Sequence, residues 1–290
     1  MILLCRNCHR RVDQQEDFFP INKLTYIKNQ HENWVRYHLP EMGVSPSPWQ
    51  PLLLQGEIPV SSDSIGSALI GESINAPFPI KFKDQLLGSP SLLTEMKSIL
   101  APVLAGQDLY QERFAIFPLA PISTCITLGY VLTNRCRTRF FQYHRDEQTW
   151  SWPNEQYELD QIKTKWDVVG NSSSIRFVIS LSAQVNYEDV NASGVPISPL
   201  AAISINTPSL TWLVNEKQLV ELRIAIRKAF ERAASDFPDA ESWHVFYAGP
   251  APGAVVLGQE INPTMSPPVH VYEFRRNENP RYFNGVILKG

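Results

Sequence analysis

The chain has 290 residues, 43% of them apolar and 19% charged, with a formal net charge of −3. This composition excludes a disordered chain, and the balance of charge excludes a global pull toward long duplex nucleic acid. No apolar run approaches the roughly 18 residues of a membrane span, and Met1-Ile-Leu-Leu is too short for a secretion signal, so a cytoplasmic setting with reduced cysteines is expected and no membrane partner.

Three zones follow one another. Residues 1–38 are polar and basic, with clustered Cys and His. Residues 39–88 are rich in Pro, Ser and Gly (Pro40, Pro46, Pro48, Pro51, Pro59, Pro77, Pro79) without sustained periodicity, and read as a linker or an irregular cover. From residue 89 regular elements begin. Ser89-Pro90 has the form of a helix start, and Leu92, Leu93, Met96, Ile99, Leu100 and Val103 recur with helical spacing. A strand is predicted at Arg113–Pro118, a helix at Ile122–Thr133, and strands at Thr138–Tyr143, Ile175–Leu181 and Ala201–Ile205. Asn215 with Gln218 forms a capping box before a long helix with Leu219, Leu222, Ile226, Ala229 and Ala233 on one face. Strand His244–Ala248, helix Gly253–Ile261 and strand Val269–Phe274 close the chain. Strands alternating with helices predict an α/β fold with a mostly parallel sheet.

An internal repeat stands out. At an offset of 129, Phe117 falls on Phe246, Pro121 on Pro250, Ile126 on Val255, Leu128 on Leu257 and Gly129 on Gly258. After a shift of two, Phe141 to Arg145 fall on Tyr272 to Arg276. Two copies are too few for a solenoid but suit two facing lobes related by a pseudo-twofold axis, about 89–170 and 171–290. Chance agreement between two strand–helix–strand units is the alternative. In open α/β sheets ligands sit beyond the carboxyl ends of the strands. There the turns holding Pro121, Ser123 and Thr124, and Gly249, Pro250, Ala251 and Pro252, each precede a helix beginning that favours an anion. Two such beginnings facing each other predict a ring-shaped ligand with several phosphates, and nearby aromatic rings provide stacking. Taken singly, each turn is also an ordinary strand-to-helix connection. Neither carries a G-x-G-x-x-G or Walker A pattern, which argues against nicotinamide cofactors and NTP hydrolysis.

At these residues the sequence resembles the SAVED family, sensor domains of anti-phage CBASS effectors. The resemblance rests on SWHVFYAGPAPGAVVLGQEIN…PPVHVYEF (Ser242–Phe274), its first copy FAIFPLAPISTCITLGYVL…FFQYHRDEQTWSWP (Phe114–Pro153), and FVISLSAQV (Phe177–Val185), and it covers about residues 89–290. It implies two fused CARF-like, Rossmann-type lobes that bind a cyclic di- or trinucleotide in the groove between them. Ligand-induced homo-oligomerisation then activates an attached effector. The pocket residues it implies are Ser182 and Ala183, Pro250 to Pro252, Tyr272 and Phe274, with Gln142, Tyr143 and Trp150 from the first lobe. Tyr272 and Phe274 also fit core aromatics at alternate strand positions.

Residues 3–32, LLCRNCHRRVDQQEDFFPINKLTYIKNQHE, resemble the second half of an HNH nuclease domain, a ββα-metal fold, which pairs with SAVED in some CBASS effectors. The resemblance implies Zn²⁺ at Cys5 and Cys8, half of a four-ligand site, and His9 as the remaining ligand of a catalytic Mg²⁺. The alternative is a metal-free segment with free thiols. The upstream hairpin that carries the general-base histidine of that family does not precede these residues. The expectation is therefore a sensor coupled to HNH-type DNA cleavage that does not itself cut. Its rivals are a nuclease completed by oligomerisation or a partner chain, with DNA contacted only through a complete HNH domain, and an interaction scaffold without a small ligand.

Overall fold

A computed structural model describes residues 6–15, 18–21, 23–25, 27–28, 47–56, 62–82, 91–105, 109–152 and 162–289. The chain forms two units, 1–47 and 48–290. In the first, helix α1 (Arg6–Gln14) carries His9, whose Nδ1 lies 2.8 Å from Asp13 Oδ2 one turn away. Cys5 lies outside the described residues, and the Cys8 side chain is not described. Among the described residues no group of three or more His, Cys, Asp or Glu is placed to hold a metal ion.

The second unit contains two sheets built to one plan. The first runs β2 (Phe78–Lys81), β1 (Gln50–Gln55), β3 (Arg113–Leu119), β4 (Arg137–Phe140), all parallel. The second has the order β12 (Tyr282–Leu288), β11 (Val269–Phe274), β10 (Ser242–Ala248), β8 (Ser174–Ser180), β9 (Leu200–Ser204), β7 (Lys163–Asp167). Its four inner strands are parallel, and antiparallel strands close both edges. Between the sheets lie α3 (Leu92–Leu104), α4 (Ile122–Leu132), α6 (Glu216–Asp236) and α7 (Ala251–Glu260), whose apolar residues share one continuous core with the inward faces of both sheets. Outside the first sheet, α2 (Ser62–Ala68) supplies Ile65 to a cluster with Phe117, Phe141 and Trp150. Outside the second, α5 (Tyr187–Ala192) supplies Val190 to a cluster with Phe246, Tyr272 and Tyr282. Strands covered on both faces need apolar residues throughout, which is why β3 and β10 read as continuous apolar runs.

The duplication is visible in side chains. Phe117 stacks on Phe141 with centroids 4.5 Å apart and meets Trp150 edge-on at 5.1 Å. In the other lobe Phe246 stacks on Tyr272 at 4.4 Å and meets Tyr282 edge-on at 5.1 Å. Where α4 and α7 pack together, a Cβ on Gly129 would stand 2.0 Å from Val255 O, and one on Gly258 would stand 2.0 Å from Ile126 O. Residue i of one helix thus meets residue j of the other, and the relation holds with the helices exchanged, as a twofold axis demands.

Residues 39–88 depart from expectation. The stretch read as linker or cover holds β1, α2 and β2, and β1 is an inner strand of the first lobe, so that lobe begins well before residue 89. Proline masked these strands, and its positions show why it is tolerated. Pro79 sits on the edge strand β2. Pro51 pairs with Ala115 of β3 but lies outside the part of β1 that pairs with β2. Each therefore occupies a place where at least one side of the ladder needs no N–H donor. The strand predicted over Thr138–Tyr143 splits: the Phe141 N–H closes the ladder on Ile116 O at 3.0 Å, and the chain leaves for a hairpin of β5 (Tyr143–His144) and β6 (Thr149–Trp150). The Ser89-Pro90 helix start lies outside the described residues.

Candidate functional site

At the carboxyl ends of β8, β10 and β11 the second lobe opens into a cavity of about 460 Å³, within the range of about 300–1,000 Å³ usual for small-ligand pockets. Beyond β8 the N–H groups of Leu181 and Ser182 both bond to Ala248 O, at 2.8 Å each, which turns the chain out of the sheet and leaves Ser182, Ala183 and Gln184 along one wall. The Asn186 side chain caps α5 by accepting from Glu188 N at 2.8 Å, and this sets Asp189 facing the opening. Arg281 reaches Asp189 at 3.3 Å from the start of β12. Tyr247, Tyr272, Phe274 and Tyr282 supply rings, and Ile122 joins them from the first lobe.

Of the residues expected from sequence, Ser182, Ala183, Gly249, Tyr272 and Phe274 come together here. Tyr272 is both core and wall: its ring stacks on Phe246 and its hydroxyl lies 3.2 Å from His244 Nδ1. Phe274 stays 47% exposed, open for stacking. Pro250 caps α7, with its carbonyl held by the Tyr247 hydroxyl at 2.9 Å, and neither it nor Ala251 and Pro252 lines this cavity. Gln142 and Tyr143 are half-buried around the β5–β6 hairpin, away from the cavity.

Two expectations are corrected. Trp150 is 3% exposed and wedged against Phe117, so its ring belongs to the core of the first lobe. The beginning of α4 does not offer its N–H groups to a ligand. Ser123 and Thr124 are fully buried, and the Ser123 N–H donates to Glu273 Oε2 at 2.9 Å. A carboxylate of the second lobe thus fills the anion site of the first, where the helix dipole favours negative charge. Burial pushes the Glu273 carboxyl up, and the N–H groups of Ser123 and Ile122 oppose that shift. Pro121 remains as the α4 cap, with φ −53°.

Glu273, Asp189, Arg281 and Tyr282 escaped the sequence reading. Only Glu273 had a signal, since it is the repeat partner of Gln142, a residue already singled out.

Behind Tyr272, β8, β10 and β11 align Arg176, His244 and His270 in register across the outer face of the sheet. Burial, then the neighbouring His270 and Arg176, pushes His244 down to about 4. In the unfolded chain a histidine titrates near pH 6.5. Between those values the unfolded state binds the extra proton, so stability is full at neutral pH and falls as pH drops through 6.5 toward 4. The expected loss from this one group between pH 7.5 and 5 is about 2 kcal/mol. Urea denaturation across that range checks it: His244→Gln should flatten the slope, and an unchanged slope assigns the pH dependence elsewhere.

Two lobes exchanged about paired glycine helices, with a cavity at the strand ends, define a duplicated α/β fold. The chain belongs to the SAVED family, the SMODS-associated and fused to various effectors sensor domain, which matches residues 93–288. Among solved structures it is similar to the Acinetobacter baumannii Cap4 SAVED/CARF-domain containing receptor with the cyclic trinucleotide 2'3'3'-cAAA, at TM-score 0.59 and 15% identity over 100% of this chain and 63% of that one. The same receptor with 3'3'3'-cAAA gives TM-score 0.55 and 15% identity over 83% and 52% of the two chains. A further structure of that receptor gives TM-score 0.55 and 15% identity over 100% and 62%. The likeness is one of fold, and the chain spans less than two thirds of the length of these receptor chains. No curated protein matches the sequence. Among the described residues no helix is long and apolar enough to cross a membrane.

Proposed function

We propose that this chain is the sensor of a bacterial anti-phage defence protein. It binds a cyclic di- or trinucleotide at the cavity beyond β8, β10 and β11, in the cytoplasm, and assembles into a homo-oligomer when the ligand is bound. Assembly switches on an HNH-type DNA endonuclease, for which residues 3–32, with Zn²⁺ at Cys5 and Cys8 and a Mg²⁺ ligand in His9, are the sequence-level support. The observation that carries the sensor reading is the ring-walled cavity at the strand ends of a SAVED fold. Such folds place ligands beyond the carboxyl ends of parallel strands, and bases stack on exposed aromatic faces.

Thermal melting of the purified chain against a panel of cyclic di- and trinucleotides tests it. A ring present at 100 times its dissociation constant should stabilise the fold by about 2.7 kcal/mol. In a unit of this size that corresponds to a rise of roughly 5–10 °C. No shift with any member of the panel would leave an interaction scaffold in place of a sensor.

A further inference from the structure

We infer that Glu273 reads the donor edge of a nucleobase, so that the second-lobe cavity takes a base bearing an exocyclic amine and not a phosphate. This rests on the proposed nucleotide binding and specifies what the site selects.

The charges decide first. Among the described residues that line the cavity, Glu273 and Asp189 stand against Arg281, which is itself paired with Asp189 at 3.3 Å, while Arg275 acts on Glu273 from outside the lining. A phosphate entering here meets a surplus of negative charge in a partly dry site, where repulsion is weakly screened. The walls decide next. The Phe274 ring, 47% exposed, provides an open apolar face suited to a flat base, with the buried Tyr282 ring 5.1 Å away and Tyr272 forming the wall behind it. The polar group is also held still, because the Ser123 N–H fixes Glu273 Oε2 at 2.9 Å across 150 residues of sequence. An ionised carboxylate only accepts hydrogen bonds. It therefore pairs with the amino groups of adenine, cytosine or guanine, as acidic side chains do with cytosine N4, whereas uracil flanks its lone N–H with two carbonyls.

The repeat supplies an internal control. Gln142 occupies the place of Glu273 in the first lobe, and Pro252, which has no N–H, occupies the place of Ser123. Gln142 Oε1 is accordingly buried without a partner. The first lobe has neither the carboxylate nor the donor that would hold it, so the two halves present different chemistry and one base alone meets Glu273.

Calorimetric titration of the full chain with cyclic di-AMP, cyclic di-GMP, cyclic di-UMP and cyclic tri-AMP tests this, for wild type and Glu273→Gln. The glutamine keeps a carbonyl acceptor for Ser123 but loses the charge. Wild type should bind at least one amine-bearing ring about tenfold or more tighter than the all-uracil ring, and Glu273→Gln should bring that ratio below about threefold. Wild-type binding of cyclic di-UMP as tight as every other ring overturns the inference without recourse to a variant. An unchanged ratio in a folded Glu273→Gln overturns it too, with the sensor reading intact. No wild-type binding to any of the rings removes the sensor reading and this inference with it.

Discussion

Gly129→Ala is expected to destabilise the second unit by about 3 kcal/mol or more, a fall in melting temperature of roughly 6–12 °C. The added methyl would stand 2.0 Å from the Val255 carbonyl oxygen and 2.9 Å from Gln259 N, both backbone atoms that no rotamer change can move aside. Relief requires α4 and α7 to separate, and their apolar faces are central to the core shared by both sheets. Gly258→Ala should behave alike, because its Cβ would meet Ile126 O at 2.0 Å. The double variant should cost less than the two single losses added together, since one separation of the helices relieves both contacts. Thermal melts of the three variants measure this. Strict additivity would show that the glycines act through independent local strain and not through one shared approach.

Trp150→Ala is expected to cost about 3–5 kcal/mol while leaving ligand affinity of the folded protein unchanged. The indole is almost fully buried, edge-on to Phe117 and tilted against Tyr143 at 4.9 Å, in a cluster that joins β3, α2 and the hairpin. Its Nε1 has no hydrogen-bond partner, so Trp150→Phe, which removes a buried unsatisfied donor along with some volume, should be milder, within about 2 kcal/mol. Chemical denaturation and ligand titration on the same samples separate the two roles. A variant that melts normally yet loses ligand would return the ring to the binding surface.

The anion logic read from sequence needs a similar revision. Two strand-to-helix turns with small residues predict two anion cradles, and their place at the strand ends was legible. Whether such a beginning is free depends on what lies opposite. Glu273 arrives at α4 from a strand 150 residues later, and no local pattern announces that meeting. The cavity it lines is the one inferred above to take a base bearing an exocyclic amine.

Periodicity and capping residues were enough for α3, β3, α4, β8, β9, α6, β10, α7 and β11, whereas β7, α5 and β12 went unread. The Asn215–Gln218 capping box forms as read, with Asn215 Oδ1 accepting from Lys217 N and Gln218 Oε1 accepting from Asn215 N, and all five residues assigned to the inner face of α6 are buried. Prolines hid β1 and β2, because a proline signals a break unless one knows which side of the ladder is open, and only the strand order supplies that. Short antiparallel pairs such as β5–β6 are likewise decided by partners and not by propensity.

By itself the amino-acid sequence showed the repeat that aligns Gly129 with Gly258, the resemblance to the family, and the helices and strands that periodicity marks, because each is a pattern along the chain. The tertiary structure alone decided which aromatic rings face solvent, which carboxylate caps α4 and where the first lobe begins. Those are contacts between residues far apart in sequence, and their energies depend on what each group meets rather than on what the group is.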